Sequence, residues 1–346
     1  MVAARAADAA RRGLDKAHMR TMQVVEVAQQ APPEALRLGE RLIPSPGPGE
    51  VLIRVRAAGI NHADLAQRAG LYPLAPGTTD ILGLEVAGEI ARVGPDVNTW
   101  KEGDRVCALL VGGGYAEFAA VPAIQCLAVP HGLDYSQAAV LPEAFATVWL
   151  NVFQKAALKA GERLLVHGGS SGVGIAAIQL ASALGATVFC TAGTDDKCRV
   201  CEAQGAVRAI NYRAEDFAQV LLRDDAKHFV DVVLDMIGGD YFPRNMKVLA
   251  RGGRMVYISS LAGRKVELDL VDMMRKRLTL FGSVLRPLPS SEKGILLKAM
   301  AEVVWPLLER QVFAPLIHQK FSFDQVAEAH RLMEAHQHVG KVVLTW

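Results

Sequence analysis

The period of the apolar residues divides the chain in two. From Met22 to about Pro142, short runs alternate apolar and polar side chains: in EVLIRVRAAG, Val51, Ile53 and Val55 stand against Arg54 and Arg56, as in a strand with one wet face. MQVVEV, LEVAGEIARVG, GDRVCALL and GYAEFAAVP read as further strands, separated by turn chemistry such as PSPGPGE and by Gly88, Gly94, Gly103 and Gly114. A small, mostly antiparallel β-domain is predicted. After Leu141 the rhythm changes. A helix-compatible segment, 143–160, leads into strand candidates at 163–167, 187–192, 208–212, 230–236, 254–259 and 278–285, with helical stretches between most of them. That is the βαβ alternation of an α/β fold, a doubly wound parallel sheet covered on both faces. The tail, 287–346, carries two helices and the strands LIHQKFSF and GKVVLTW, too little for a third core. It is expected to rejoin the first domain, giving domains of 22–145 with 287–346, and of 146–286.

Length agrees with that division: 346 residues, 51% of them hydrophobic, suit two cores when a domain averages about 150 residues. A formal charge of +2 gives no electrostatic case for nucleic acid or an acidic membrane surface. Five scattered cysteines form no secreted disulfide framework, which points to a reducing, cytoplasmic compartment. No apolar run approaches the roughly 20 residues of a membrane span. Residues 1–21 are Ala- and Arg-rich, but Asp8 and Asp15 with no serine argue against an organellar leader. They read as a poorly ordered extension.

The sharpest chemical signal is LLVHGGSSGVGIAAIQLASALGATVFCTAG, from Leu164 to Gly193. A pyrophosphate site needs a tight turn after a strand, close backbone N–H groups and a helix N-terminus aimed at negative charge. Gly172 and Gly174 permit the close approach, and Ser170 or Ser171 can cap the helix or bond a phosphate oxygen. About 20 residues on, where a carboxylate on the ribose hydroxyls would mark NAD, the strand ends Thr191-Ala192-Gly193-Thr194. Lys197 and Tyr212 are then placed to meet a 2′-phosphate, so NADPH is favoured over NADH, although Asp195 and Asp196 lie nearby.

These residues, with AAGINHADLAQRAGLYP, ILGLEVAGEIARVG, LPEA, TAGTDDK, INYR and VGKVVL, resemble the zinc-free, zeta-crystallin-like quinone oxidoreductases of the medium-chain dehydrogenase/reductase superfamily. LLVGGGYAEFAAVP, LPEAFATVW and DMIGGDYF are most similar to the stress-inducible branch. The resemblance implies a GroES-like β-rich catalytic domain beside a Rossmann domain. Zinc-dependent relatives place metal ligands at the positions of Asn61 and Leu84, which cannot serve, and their four-cysteine lobe is absent. No metal is therefore expected, and the pair Cys198 and Cys201 lacks the further ligands structural zinc needs.

Carried over residue by residue, the resemblance places Asn61, Tyr72 and Arg286 at the reacting end. Cofactor contacts are implied for Thr147, Ser171, Gly172, Val173, Gly174, Gly193, Thr194, Lys197, Tyr212, Ile237, Gly238, Ser259 and Lys341. Asn61 and Tyr72 can donate hydrogen bonds to a carbonyl, and Arg286 can steady the cofactor or an enolate-like oxygen. Without zinc, a quinone or α,β-unsaturated carbonyl suits the site better than a simple ketone, because conjugation spreads the incoming charge. The implied activity is NADPH-dependent quinone or enone reduction by a homodimer paired through the last sheet strand. An enoyl-thioester reductase, or an NADPH-binding protein with incidental turnover, remains as an alternative.

Overall fold

The computed structural model describes residues 20–28, 30–72, 74, 77–223 and 229–346. Residues 1–19 of the N-terminal extension lie outside this set, and Thr21 already begins the first strand. Strands β1 (Thr21–Glu26) and β2 (Arg37–Leu42) form an antiparallel ribbon. The next five, β3 (Glu50–Ile60), β4 (Glu85–Val93), β5 (Arg105–Leu109), β6 (Phe118–Pro122) and β7 (Cys126–Ala128), pair antiparallel around β3. The alternation that marks β3 in the sequence is also its burial pattern: Val51, Ile53 and Val55 are buried, while Arg54 and Arg56 are exposed.

The second sheet is parallel throughout and comprises β8 (Arg163–Val166), β9 (Thr187–Ala192), β10 (Arg208–Asn211), β11 (Val230–Asp235), β12 (Leu249–Tyr257) and β13 (Thr279–Gly282). Its order, β10-β9-β8-β11-β12-β13, reverses direction between β8 and β11. Ligands of open α/β sheets bind outside the carboxyl ends of the strands at such a switch point, and the glycine turn follows β8 there. In the tail, β14 (Ile317–Ser322) and β15 (Lys341–Thr345) return to the first sheet, with β15 antiparallel to β3. The long tail helix, Ser290–Glu309, instead buries Leu296, Leu297, Met300, Val304 and Leu308 in one cluster with Leu164, Val166 and Ile178 of the parallel-sheet side. This shared core joins the two sheets.

Two elements depart from the sequence expectation. The segment at 143–160 is an α-helix only over Pro142–Val148 and continues as a π-helix over Trp149–Lys155. Asn151 Nδ2 donates to the Thr147 carbonyl at 2.8 Å, occupying the acceptor that its own backbone N–H would use in α-helical register. The last strand stops at Gly282 rather than 285: Ser283 Oγ turns to Asn151 Oδ1 at 2.6 Å, and Leu285 dives into the core. No helix among the described residues is long and apolar enough to cross a membrane.

Candidate active site

The glycine turn is shaped by backbone proximity. Gly168 adopts φ +69°, in the left-handed region. A Cβ on Gly174 would lie 2.3 Å from the Gly168 oxygen and 2.6 Å from that of Gly169, so only glycine lets the helix start this close to the strand. Ser171 caps the helix Gly172–Ala183, its Oγ accepting from Gly174 N at 3.0 Å, and Val173 in the first turn is partly buried against the core. The tail crosses the turn, with Gly340 N donating to the Ser170 carbonyl at 2.8 Å. A turn with this cradle and a helix N-terminus fits a dinucleotide pyrophosphate.

After the next strand, β9, Thr194 Oγ1 caps the helix Asp195–Ala203 by accepting from Lys197 N. Tyr212 lies against Gly193, where a Cβ would come within 2.9 Å of its hydroxyl. Lys197 Nζ donates to the carbonyls of His336 and His338 at 2.6 and 3.0 Å, leaving one proton for a ligand. Its pKa is lowered by burial and by the positive charge of Arg213, whose guanidinium also sits 6.0 Å from the Tyr212 ring centroid. Two cations and a phenol thus lie close together at the end of β10. Arg213 was not singled out in the sequence, although it ends the INYR motif. Ile237 N and Gly238 N both donate to Asp235 Oδ1, at 2.6 and 3.1 Å, and Ser259 is exposed two residues beyond β12.

The reacting end is a buried polar cluster around Asn61, the residue that caps the helix His62–Arg68. Asn61 N donates to Asp64 Oδ2 at 2.8 Å, and Asn61 Nδ2 donates to Glu85 Oε1 at 3.0 Å. Lys341 Nζ completes the arrangement, reaching Asn61 Oδ1 at 2.6 Å, Glu85 Oε1 at 2.7 Å and the Ile60 carbonyl at 3.1 Å. Those three acceptors use all three ammonium protons. The Lys341 ammonium is thus engaged within the protein, at the place where the returning tail meets the phosphate turn. Its stem instead packs against Gly172, where a Cβ would fall 2.3 Å from Lys341 Cδ, so Lys341 ties the phosphate turn to Asn61.

Asp64 also accepts from Gly83 N and the Tyr115 hydroxyl, and burial pushes its pKa up to about 6. Glu85 Oε2 accepts from Glu143 N at 2.9 Å. Burial, then the Glu85 carboxylate, push the Glu143 carboxyl up to about 8. One turn further along the same helix is Thr147, also buried. Tyr72 lies close enough for its phenol to feel both Glu143 and Arg286, and burial holds its pKa above the ordinary value.

Arg286 is not a surface residue: it is 9% exposed, its Nε and Nη2 donate to the Val111 carbonyl, and its guanidinium stacks 5.1 Å from the Tyr72 ring centroid. Its Nη1 is buried without a hydrogen-bond partner among the described residues. Arg286 thus stacks on Tyr72, Tyr72 feels Glu143, and Glu85 links Asn61 to the backbone of Glu143. The carboxylates Asp64, Glu85 and Glu143 escaped sequence reasoning; only the Asn-x-x-Asp capping pattern at 61–64 and the LPEA motif signalled them.

His167 is packed, with ring nitrogens 3.0 Å from Thr191 Oγ1 and 2.7 Å from Asn245 Oδ1. All five cysteines are free and buried. Among the described residues no group of three or more His, Cys, Asp or Glu is arranged to hold a metal ion.

Residues 47–131 match the alcohol dehydrogenase GroES-like domain, and residues 172–302 the family described as zinc-binding dehydrogenase. The quinone oxidoreductase of Lama guanicoe is 33% identical over 331 residues, covering 94% of this chain and 98% of its own. Among solved structures, a mycobacterial quinone oxidoreductase superposes with a TM-score of 0.83 at 27% identity, covering 94% of this chain and 100% of its own. The CurK enoyl reductase gives 0.80 at 28% identity, covering 94% and 99%. With both domain families in sequence and near-full-length similarity to such an enzyme, the chain belongs to the quinone oxidoreductases of the medium-chain dehydrogenase/reductase superfamily.

Proposed function

We propose that this oxidoreductase transfers hydride from NADPH to a quinone or α,β-unsaturated carbonyl without a metal ion. The observation that carries the reading is the tight glycine turn at the switch point of the parallel sheet, tied through the Lys341 stem on Gly172 to the Asn61 cluster; Lys197, Arg213 and Tyr212 would serve the adenosine phosphate, and Asn61, Tyr72 and Arg286 the acceptor. The bound nicotinamide would supply hydride. The chain's own part is to hold the pyrophosphate at Ser171–Gly174, set the ring beside Thr147, Ile237, Gly238 and Ser259, exclude water, and donate hydrogen bonds to the acceptor oxygen. Those donors match a conjugated acceptor, whose incoming charge is already delocalised. The edge strand β13, flanked by exposed Leu270, Val271 and Met274, supports pairing with a second copy, and the free buried cysteines support a cytoplasmic location.

The test is turnover: pure protein with NADPH and a panel of quinones, enals and enoyl-thioesters, read by nicotinamide absorbance. Consumption with quinones or enals supports the proposal. Consumption confined to enoyl-thioesters favours the second reading, to which the enoyl reductase similarity lends weight. Saturable binding with no consumption would make the protein a cofactor-dependent binder. Dialysis against a chelator is expected to leave the rate unchanged; a loss restored by zinc overturns the metal-free part.

Lys197→Ala tests the cofactor choice. Removing one charge-assisted bond costs about 1.5–3 kcal/mol, so NADPH affinity should fall roughly 10- to 150-fold while NADH affinity changes little. Equal losses in paired fluorescence titrations would refute the 2′-phosphate assignment.

A further inference from the structure

One acid in the cleft has no task in the reading above. Glu143 stands in the first turn of the helix Pro142–Val148, four residues before Thr147, so the two side chains share a helix face. Its backbone is fixed by the Glu85 carboxylate, which itself holds Asn61 and Lys341. Its own carboxyl is different: half-buried, it makes no hydrogen bond or ion pair among the described residues. It stays open to a ligand and lies within electrostatic reach of the Tyr72 phenol.

We propose that Glu143 is the acid of this cleft, giving its carboxyl proton to the acceptor that takes hydride. The inference rests on the reductase reading. It also supplies what that reading lacks, because neither an amide nor a phenol is an effective acid near neutrality. In the balanced step the acceptor gains hydride at one end of its conjugated system and the Glu143 proton at the other. The carboxyl O–H bond breaks, a new O–H or C–H bond forms, and the acceptor is reduced by two electrons at the expense of the nicotinamide. Water then returns a proton to the carboxylate.

The surroundings favour the neutral acid. Glu85 on β4 and Asp64 on the helix His62–Arg68 oppose a third negative charge, whereas Lys341 on β15 and Lys293 on the helix Ser290–Glu309 favour one. Arg286 and the Tyr72 phenol complete the ring of titratable groups. Lys341 is already saturated by its three acceptors, and buried Lys293 donates to the Arg286 carbonyl at 2.6 Å. Burial outweighs both cations and pushes the Glu143 carboxyl up to about 8, which favours the protonated acid near neutrality.

Two measurements test this on the full-length protein. Infrared difference spectra of the cofactor-free protein should show a protonated carboxyl band that titrates near pH 8 and is missing in Glu143→Gln. With NADPH and whichever acceptor is turned over, Glu143→Gln should lower kcat about 100-fold, remove the alkaline limb of the pH profile and leave the NADPH Kd unchanged. Glu143→Asp, which keeps an acid, should retain the limb and recover part of the rate; it serves equally if the glutamine variant does not fold. A glutamine variant with wild-type kcat and pH profile, or a wild-type spectrum without the band, overturns the proposal while leaving the reductase reading intact. A wild-type protein that consumes NADPH with none of the acceptors supplied removes that reading instead, and the proton-donor assignment falls with it.

Discussion

Lys341→Met is expected to destabilise the protein by about 3–5 kcal/mol, the cost of leaving a buried charge without its partner. Glu85 is fully buried, and its Oε1 shares a 2.7 Å ion pair with Lys341. Methionine preserves most of the stem that packs on Gly172 but removes every ammonium bond to Glu85, Asn61 and Ile60. The amide and backbone donors that remain on Glu85 carry no full charge to offset the carboxylate. Urea unfolding at neutral pH reads the effect directly. The double variant Lys341→Met/Glu85→Gln should recover much of the loss, since it deletes the orphaned charge itself. A single variant within 1 kcal/mol of wild type would contradict the pairing. Because the same lysine orders Asn61, the single variant should also lower kcat with any acceptor.

Gly174→Ala is expected to abolish tight dinucleotide binding. The added Cβ meets two backbone carbonyls, at 2.3 and 2.6 Å, and neither can rotate away as a flexible side chain would. Relief requires the turn and the helix to separate, and overpacking of this kind costs about 1–3 kcal/mol of stability. Displacing the turn also removes backbone bonds to phosphate. Losing two charge-assisted bonds of about 1.5–3 kcal/mol each lowers affinity at least about 100-fold. NADPH and NADH should suffer alike, because both carry the pyrophosphate. Fluorescence titration with each nucleotide checks this, and selective loss of NADPH alone would mean that the turn does not hold the pyrophosphate.

Much of this architecture is legible because its signals are local. Period-two alternation in β3 and the glycine turn after β8 each need only a few neighbouring residues to be read. What escaped depends on groups distant in sequence. The π-helix at Trp149–Lys155 is set by one asparagine side chain taking a carbonyl that helical register reserves for the backbone. The burial of Arg286 could not be read locally, because its acceptor, the Val111 carbonyl, lies 175 positions away. The bonds of Lys341 to Ile60, Asn61 and Glu85 likewise join residues more than 250 positions apart, which no local pattern announces. Asp64, Glu85 and Glu143 come from three separate elements, so no spacing announces them as one cluster.

Isotope transfer probes the central claim most directly. NADPH carrying deuterium at both C4 positions would be incubated with the protein and an α,β-unsaturated ketone, and the product analysed by mass spectrometry. The expected product holds a single deuterium, bound at the β-carbon, with the second new hydrogen drawn from the protein and water. Unlabelled product, or NADPH oxidised while the ketone is recovered unchanged, would contradict direct hydride delivery in this crevice.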